Sequence, residues 1–320
     1  MIRVSARFQM KEESRGVRME VVEYEPEMAA DLVPVYNHAV KGVPHCYPVD
    51  LDTFSAAIGP AVSSTEDDTR LHSESFLVAR DSDRVLGFAH CAIESPKEGD
   101  DRGAIRFYWY RPGYRGVGQS LLEAAQERLL GLGVGAVVAF DQTYRYPFYG
   151  FKHAYLSEHL GHIEAILGMN GYRRIKGEVF LDWPSFGPLD VGSPGVKPTL
   201  EPEWKEGRGA RPGIVMKALM DGEEIGACNC VSCGEFSESE TVQDWTFTEW
   251  LGVKDEYQGK GLGRYLLTVT LNEMYEKGYR NASISTDWRN YRAFLFYSNL
   301  GYRVVDWTYC YSREFKTHVT

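Results

Sequence analysis

Cysteine is scarce in this sequence: 320 residues include six, too few for a fold held together by disulfides. The only cluster is CNCVSC (228–233), and a single histidine follows residue 184, so a zinc site would lack its fourth ligand. The cluster lies in an alternating apolar run after a turn at Asp221 and Gly222, which predicts a strand. We therefore expect no bound metal.

The sequence also lacks long hydrophobic runs and a surplus of positive charge. No apolar run is long enough to span a membrane. Basic residues number 35 against 45 acidic ones, and a net charge of −10 argues against binding to nucleic-acid phosphates. The first 18 residues lack the apolar core of a signal peptide. We expect a cytoplasmic protein that binds neither nucleic acid nor membrane.

The length of the chain allows two domains, and one segment separates them. Residues 183–212 contain six prolines and five glycines without helical or strand periodicity. This division predicts a tail over 1–18, an N-terminal domain over 19–183, a linker over 184–212 and a C-terminal domain over 213–320.

The two halves repeat one order of elements, which indicates a duplicated α/β unit. Each half has a hairpin, a strand that ends in a glycine-rich stretch, a helix and a short buried strand. The matching pairs are 75–93 and 213–231 for the hairpin, YRGVGQSLL (114–122) and YQGKGLGRYLL (257–267) for the glycine-rich stretch, and 136–141 and 282–287 for the short strand.

Two features of the first half have no counterpart in the second. Two leading helices are predicted near 26–41 and 50–59. An aromatic-rich insertion of 16 residues follows Asp141, because 30 positions separate Asp141 from Gly171 but only 14 separate Asp287 from Gly301. The second half is a trimmed copy.

The glycine-rich stretches indicate phosphate binding. A strand, a glycine loop and a helix expose backbone N–H groups at the positive end of the helix dipole. The stretch GKGLG (259–263) lacks the Lys-Ser/Thr ending of a nucleotide-binding P-loop, and it follows a hairpin rather than the first strand of a Rossmann unit.

The stretch from Gln258 to Gly263 resembles the Q/R-x-x-G-x-G/A signature of the GNAT superfamily of acyl-CoA-dependent N-acetyltransferases. The segment NYRAFLFYSNLGY (290–302) is similar to the family's block N-x-x-A-x-x-x-Y-x-x-x-G-F/Y. With LGV at 251–253, these motifs cover most of 213–320.

The resemblance implies a tandem protein of the α/β class (α+β type) with two GNAT-like domains, each a mixed, mostly antiparallel sheet flanked by helices. It also implies acetyl-CoA as co-substrate, with its pyrophosphate held by backbone N–H groups and its pantetheine along strand 251–253. The cofactor-binding residues expected on this basis are Leu251, Val253, Gln258, Gly259, Lys260, Gly261, Leu262, Gly263, Arg264 and Asn290.

Two residues are candidates for catalysis. Tyr297 lies seven positions after Asn290, two helical turns along one face, where GNAT enzymes commonly place a general acid; the alternative is a tyrosine of the core. Glu249 alternates with Leu251 on its strand, so it is either a base that accepts a proton through water or a group that binds the substrate ammonium. Lys260 and Arg264 either meet the CoA phosphates or face solvent.

The first half departs from the pattern where chemistry is expected. Leu167 and Leu160 replace Tyr297 and Asn290 at an offset of 130, and Arg106 replaces Glu249 at an offset of 143. This copy is predicted to be catalytically silent. A possible second CoA site remains at Arg115, Gly116, Gly118 and Ser120, the last of which replaces Gly263.

These features predict an acetyl-CoA-dependent N-acetyltransferase that acts in its C-terminal domain on a primary amine of a small molecule or peptide. Because the second half lacks the leading helices, we expect the linker or the first domain to complete its acceptor wall. One alternative is acetylation of a cysteinyl amino-sugar, as in the mycothiol synthase family of tandem members. The other is a regulatory protein that binds acyl-CoA without catalysis.

Overall fold

A computed structural model describes residues 19–58, 70–82 and 84–315. The chain forms two units, and each takes segments from both sides of the predicted linker. The first unit comprises Met1–Tyr149, Ala154–Gly177 and Thr308–Thr320, and the second comprises Gly150–His153 and Glu178–Trp307. The predicted tail, residues 1–18, lies outside the described residues.

The first unit is a mostly antiparallel sheet with flanking helices. Strands β1 to β5 lie side by side in chain order, and only the pair β4 and β5 is parallel. The C-terminal half of β13 pairs with β5 and β6. The elements are β1 (Met19–Glu23), α1 (Ala29–Ala39), α2 (Leu51–Ile58), β2 (Arg70–Asp81), β3 (Arg84–Ser95), β4 (Arg102–Tyr110), α3 (Arg115–Gly131), β5 (Ala136–Ala139), β6 (Leu156–Ser157) and α4 (Gly161–Met169), with parts of β7 (Arg173–Trp183) and β13 (Arg303–Glu314). Residues 178–183 of β7 and 303–307 of β13 belong to the second unit.

The second unit repeats this architecture without the two leading helices. Its sheet has the order β7, β12, β11, β10, β9, β8, and only the pair β11 and β12 is parallel. The elements are β8 (Thr199–Lys205), β9 (Gly213–Met220), β10 (Glu223–Ser232), β11 (Trp245–Val253), α5 (Leu262–Glu276), β12 (Asn281–Asp287) and α6 (Tyr291–Ser298). The two predicted hairpins and both leading helices are therefore present, and the α/β fold with two duplicated domains is confirmed.

The core of the second unit lies between α5 and its sheet. Leu262, Leu266 and Met274 recur at helical spacing and are buried against apolar residues of β9, β10 and β12. Helix α5 ends just before Gly278, whose φ of 98° is the left-handed conformation of a helix C-terminus. This packing fixes the start of α5 beside the end of β11.

A β-bulge occurs at the same place in both halves. In the first unit the pairing moves from His90 with Phe107 to Cys91 with Ile105, so Arg106 is the extra residue. In the second it moves from Asn229 with Trp250 to Cys230 with Thr248, and the extra residue is Glu249. The offset is 143, the same as between the two glycine-rich stretches, which supports the alignment of the two copies.

The predicted linker contains regular structure. Strand β8 pairs with β9 from Thr199 opposite Leu219 to Lys205 opposite Gly213. Prolines obscured this strand in the sequence, but β8 is the edge strand, where Pro202 is tolerated because one side of an edge strand needs no ladder hydrogen bonds. Residues 199–205 are thus part of the sheet of the second unit.

The insertion contributes to the second unit. Residues 150–153 belong to it, and the Phe151 ring lies 5.4 Å from that of Phe236 and 5.7 Å from that of Phe247. Phe151 and Phe247 are buried. The insertion therefore supplies apolar cover to a sheet that lacks leading helices of its own.

Candidate functional site

A cavity of about 510 Å³ lies in the second unit, between the end of β11, the start of α5 and helix α6. It brings together ten of the twelve site residues predicted in this half. Its lining is Leu251, Val253, Tyr257, Gln258, Gly259, Gly261, Leu262, Gly263, Arg264, Asn290, Arg292, Ala293, Phe296 and Tyr297.

One end of the cavity is formed by residues 258–264, here called the phosphate loop. Gly259 and Gly261 have φ values of 73° and 79°, a conformation that L residues with side chains seldom adopt. Helix α5 begins at Leu262, directly after Gly261, so the last three residues of the phosphate loop form the first turn of the helix. The unbonded N–H groups of this turn and the positive end of the helix dipole therefore lie at this wall. Arg264 and Arg292 also line the cavity. This end can bind a phosphate or pyrophosphate.

The phosphate loop is tied to the end of β11 by a side chain. The Gln258 amide donates to the carbonyl of Val253 at 3.0 Å and to the Asp255 carboxylate at 2.8 Å. Lys260 points elsewhere: its ammonium donates to the Glu256 carbonyl at 2.8 Å and lies 5.3 Å from the centre of the Tyr257 ring. Lys260 does not line the cavity, so its predicted contact with a CoA phosphate stays a prediction.

The wall along β11 is apolar. Leu251 and Val253 are two positions apart, so both side chains lie on one face of the strand, and both also pack against the core of this unit. An extended arm such as pantetheine, whose methylene and methyl groups alternate with two amides, fits along such a wall.

Tyr297 lies on α6 and forms part of the cavity wall, with 7% of its surface exposed. Its ring is 5.1 Å from that of Phe296 and 5.9 Å from that of Tyr302. Burial raises the pKa of its phenol far above the ordinary value of 10. The hydroxyl is therefore protonated at neutral pH and can act as a proton donor.

Asn290 lines the cavity and also begins α6. Its side-chain oxygen accepts a hydrogen bond from the N–H of Ala293 at 3.1 Å, an N-cap that satisfies a donor of the first helical turn. The N-x-x-A part of the motif therefore also has a structural role, since its asparagine caps α6. Contact with pantetheine stays a prediction.

Glu249, the candidate base, does not line the cavity. It lies at the bulge of β11, two residues before Leu251 on the strand. Its carboxylate is 3.2 Å from the Lys152 ammonium and accepts a hydrogen bond of 2.8 Å from the Asn229 amide. Lys152 comes from the insertion, within the segment that belongs to the second unit. This carboxylate thus binds a cation in the structure, and its catalytic role stays a prediction.

Trp250, the residue after the bulge, is 65% exposed. Its equivalent in the first unit is Phe107, which is buried and whose ring is 5.5 Å from that of Tyr36 on α1. The difference follows from the missing leading helices: without a counterpart of α1, the second unit leaves this side of its bulge open.

The first copy of the glycine-rich stretch has another geometry. Helix α3 begins at Arg115, the equivalent of Gln258, and so starts one turn earlier than α5. Gly118 is helical, and its N–H donates to the carbonyl of Tyr114 at 3.2 Å. A Cβ atom on Gly118 would lie 2.5 Å from the ring of Tyr110. The equivalent of Tyr110 is Val253, which lines the cavity in the second unit, so the first unit has a larger ring against its helix at this position.

The possible second CoA site at Arg115, Gly116, Gly118 and Ser120 therefore lacks the features of the phosphate loop. All four residues lie within α3 rather than in a loop before a helix. We did not identify Tyr110 from the sequence, although its alignment with Val253 was available as a signal.

The residues that replace the candidate catalytic groups in the first unit are buried. Leu160 and Leu167 are 3% and 0% exposed. Arg106 donates to the Tyr144 carbonyl at 3.0 Å and lies 3.4 Å from Glu74, whose carboxylate is 2.9 Å from His90. Burial lowers the pKa of His90. Arg106 thus belongs to an internal polar network.

The cysteine cluster lies where the alternation predicts. Cys228 and Cys230 are on β10 and Cys233 follows it, and all three are buried free thiols. Within residues 19–58, 70–82 and 84–315, no three His, Cys, Asp or Glu side chains form a group that could hold a metal ion. In the same ranges, no helix is long and apolar enough to cross a membrane.

Two models of GNAT acetyltransferase domains match the sequence. The GNAT family model matches residues 45–155 and a GNAT domain model matches residues 212–304, and together they cover more than half of the chain. This chain is a tandem GNAT protein. The superfamily to which it belongs transfers acyl groups from acyl-CoA to an acceptor. No curated protein matches the sequence.

Solved structures share the fold. A tandem GNAT protein from the clavulanic acid biosynthesis pathway matches with a TM-score of 0.64 at 16% identity, over 93% of this chain and 98% of that one. The glucosamine N-acetyltransferase region of a fungal multi-domain β-N-acetylglucosaminidase matches with a TM-score of 0.64 at 14% identity, over 95% and 39%. A GCN5-related N-acetyltransferase from Sphaerobacter thermophilus gives 0.55 at 12%, over 92% and 95%. At these identities the likeness shows the fold alone.

Proposed function

We propose that this tandem GNAT protein is an acetyl-CoA-dependent N-acetyltransferase whose reaction takes place in the second unit, in the cytoplasm. One observation carries the proposal. A single cavity is lined by a phosphate loop at the start of α5, an apolar wall along β11 and Tyr297, whose phenol is protonated. These are the groups needed to bind an acyl-CoA thioester and to protonate the thiolate that leaves.

The chain's own residues have separable roles in this proposal. The phosphate loop binds the pyrophosphate through backbone N–H groups, with Arg264 and Arg292 as counter-charges. Leu251 and Val253 direct the pantetheine arm along β11. Tyr297 donates its proton to the departing thiolate after an amine has attacked the thioester carbonyl. The attacking amine is neutral, and the proton that its nitrogen loses restores the Tyr297 phenol through water, so transfer yields an amide and free CoA.

Glu249 is proposed to meet the acceptor. It lies beyond Leu251, at the end of the apolar wall away from the phosphate loop. The Lys152 ammonium, 3.2 Å away, occupies a position that the ammonium of an acceptor can take. Glu249 then either holds the acceptor by charge or accepts its proton through water. In both cases the acceptor is a primary amine of a small molecule or peptide.

The acceptor wall is proposed to include the insertion. Residues 150–153, which belong to the second unit, supply Lys152 beside Glu249. Amino-sugars belong in the acceptor panel because one structural neighbour is a glucosamine N-acetyltransferase region. A cysteinyl amino-sugar, the acceptor of mycothiol synthases, also belongs there.

Turnover tests the proposal. We expect free CoA to be released from acetyl-CoA with at least one member of a panel of primary amines, including glucosamine, a cysteinyl amino-sugar and a lysine-containing peptide. Binding of CoA without release with any amine would favour the regulatory, non-catalytic alternative. Failure to bind CoA at all would contradict both functions.

A further inference from the structure

Part of the segment predicted as a linker lies against the phosphate loop. This segment, residues 189–199, is here called the strap. The N–H of Gly195 donates a hydrogen bond of 2.7 Å to the carbonyl of Lys260, in the middle of the phosphate loop. A Cβ atom on Gly261 would lie 3.9 Å from the Cα atom of Pro194. The strap and the phosphate loop are both within the second unit.

The strap is anchored on both sides of this contact. At one end, the Asn272 side chain on α5 accepts a hydrogen bond from the N–H of Leu189 at 2.8 Å and donates to its carbonyl at 3.0 Å. At the other end, Thr199 begins β8, which pairs with β9 over its whole length. Val196, between these anchors, packs against the core of the unit. Gly195 is therefore held in place independently of the phosphate loop.

The hydrogen bond determines which way one peptide group faces. The peptide bond between Lys260 and Gly261 is planar and trans, so its C=O and N–H point in opposite directions. Because the strap binds the Lys260 carbonyl from one side, the Gly261 N–H must face the other. Gly261 lines the cavity, whereas Lys260 does not.

The phosphate loop contains two glycines, so a hydrogen bond that fixes its backbone can strengthen anion binding. Gly259 and Gly261 have positive φ, and glycine has access to many other conformations, so this loop loses more entropy on ordering than one made of other residues. An external hydrogen bond that holds the peptide group in place reduces the entropy lost when an anion binds.

We propose that the strap orients the Gly261 N–H as a donor to the pyrophosphate of CoA, and that Gly195 is the positioning residue. This inference rests on the proposed function, since it assigns the source of part of the CoA affinity. It also gives the segment between the two GNAT domains a role in cofactor binding rather than only in connection.

Two substitutions at one position test the proposal. Gly195→Pro removes the N–H donor. Gly195→Ala keeps it, and its Cβ would lie 3.4 Å from the Lys260 oxygen, an ordinary contact. Gly192→Pro is a matched control, because nothing lies within 4 Å of a Cβ at Gly192. Titration calorimetry of the full chain with CoA should give a Kd about tenfold higher for Gly195→Pro and within about twofold of the wild type for the other two.

Steady-state kinetics distinguish a loss of pyrophosphate binding from a general disturbance of the active site. Since the strap acts on the pyrophosphate, KM for acetyl-CoA should rise in Gly195→Pro while kcat, and the rate with acetylpantetheine, which has no pyrophosphate, stay unchanged. If Gly195→Pro does not fold by circular dichroism, Asn272→Ala releases the strap at Leu189 and should also weaken CoA binding. Wild-type CoA affinity in the folded variant used would overturn the proposal. Absence of CoA binding by the wild type would instead overturn the proposed function, and with it the role of the strap.

Discussion

Replacement of Tyr297 by phenylalanine is the most direct test of the assigned chemistry. The substitution removes one hydroxyl and keeps the ring, which packs 5.1 Å from Phe296 and 5.9 Å from Tyr302. We expect the free energy of unfolding to change by less than about 1 kcal/mol, and the Kd for CoA to stay within about twofold. The effect should fall on kcat.

The magnitude follows from the acidity of the two groups. A general acid contributes roughly 100-fold to 10,000-fold to the rate. Burial raises the pKa of the Tyr297 phenol above 10, whereas an ordinary thiol has a pKa of about 8.5. The thiolate is therefore a weaker base than the tyrosinate, and the transfer of the proton from Tyr297 to the thiolate is unfavourable by itself. We therefore expect the lower end of the range, about 100-fold in kcat, which corresponds to ~2.7 kcal/mol. Because the phenol stays protonated, the wild type should lose no activity through this group up to about pH 9.

Steady-state release of CoA, measured by a thiol reagent over a pH series with a saturating amine, provides the assay. Tyr302→Phe is the matched control, because Tyr302 is buried beside Tyr297 but does not line the cavity. Its kcat should be that of the wild type. A kcat for Tyr297→Phe within about twofold of the wild type, or equal losses in both variants, would refute the assignment.

Three further perturbations probe other parts of the molecule. Burial raises the pKa of Glu178 from 4.5 to about 8, so the folded state holds this proton more tightly than the unfolded state does. The contribution of Glu178 to stability is therefore full below about pH 4.5 and is lost toward pH 8. In urea unfolding over this pH range, the free energy of unfolding of the wild type should fall relative to that of Glu178→Gln. Glu249→Gln removes a negative charge that lies outside the cavity, so the KM for a cationic amine should rise about tenfold while the affinity for CoA stays the same. An unchanged KM for the amine would argue against a role of Glu249 in acceptor binding. Gly118→Ala places a methyl group 2.5 Å from the Tyr110 ring and should lower the free energy of unfolding, measured by thermal unfolding, by about 1–3 kcal/mol. The control Gly131→Ala lies in the same helix, where a methyl group meets nothing within 4 Å, and should leave the stability unchanged. Neither variant should change the affinity for CoA.

Much of the site in the second unit could be predicted from sequence because short-range patterns determine it. Glycines with positive φ, a helix start and an apolar strand end are local features, and the motif spacing brought them together correctly. Four further lining residues were not predicted as site residues, although the last three lie within the recognised motif: Tyr257, Arg292, Ala293 and Phe296. Which residues of α6 line the cavity depends on how that helix packs.

Contacts between residues distant in the chain could not be predicted in this way. The pairing of Lys152 with Glu249 joins residues almost a hundred positions apart, and no periodicity encodes it. The similar glycine spacing of the two copies also concealed a difference in helix start, which depends on Tyr110 packing over Gly118. The linker was predicted from its prolines, but edge-strand pairing of β8 overrides local preference.

Each unit contains chain segments from both sides of the predicted linker, and this limits where the protein can be divided into fragments that fold. A gene cut within residues 184–212 would not yield two self-sufficient products. The upstream piece would lack Thr308–Glu314, which complete the sheet beside β5, and the downstream piece would lack residues 150–153 and the strand segment Glu178–Trp183. Neither half of the duplicated chain is therefore expected to form its complete sheet when it is expressed alone.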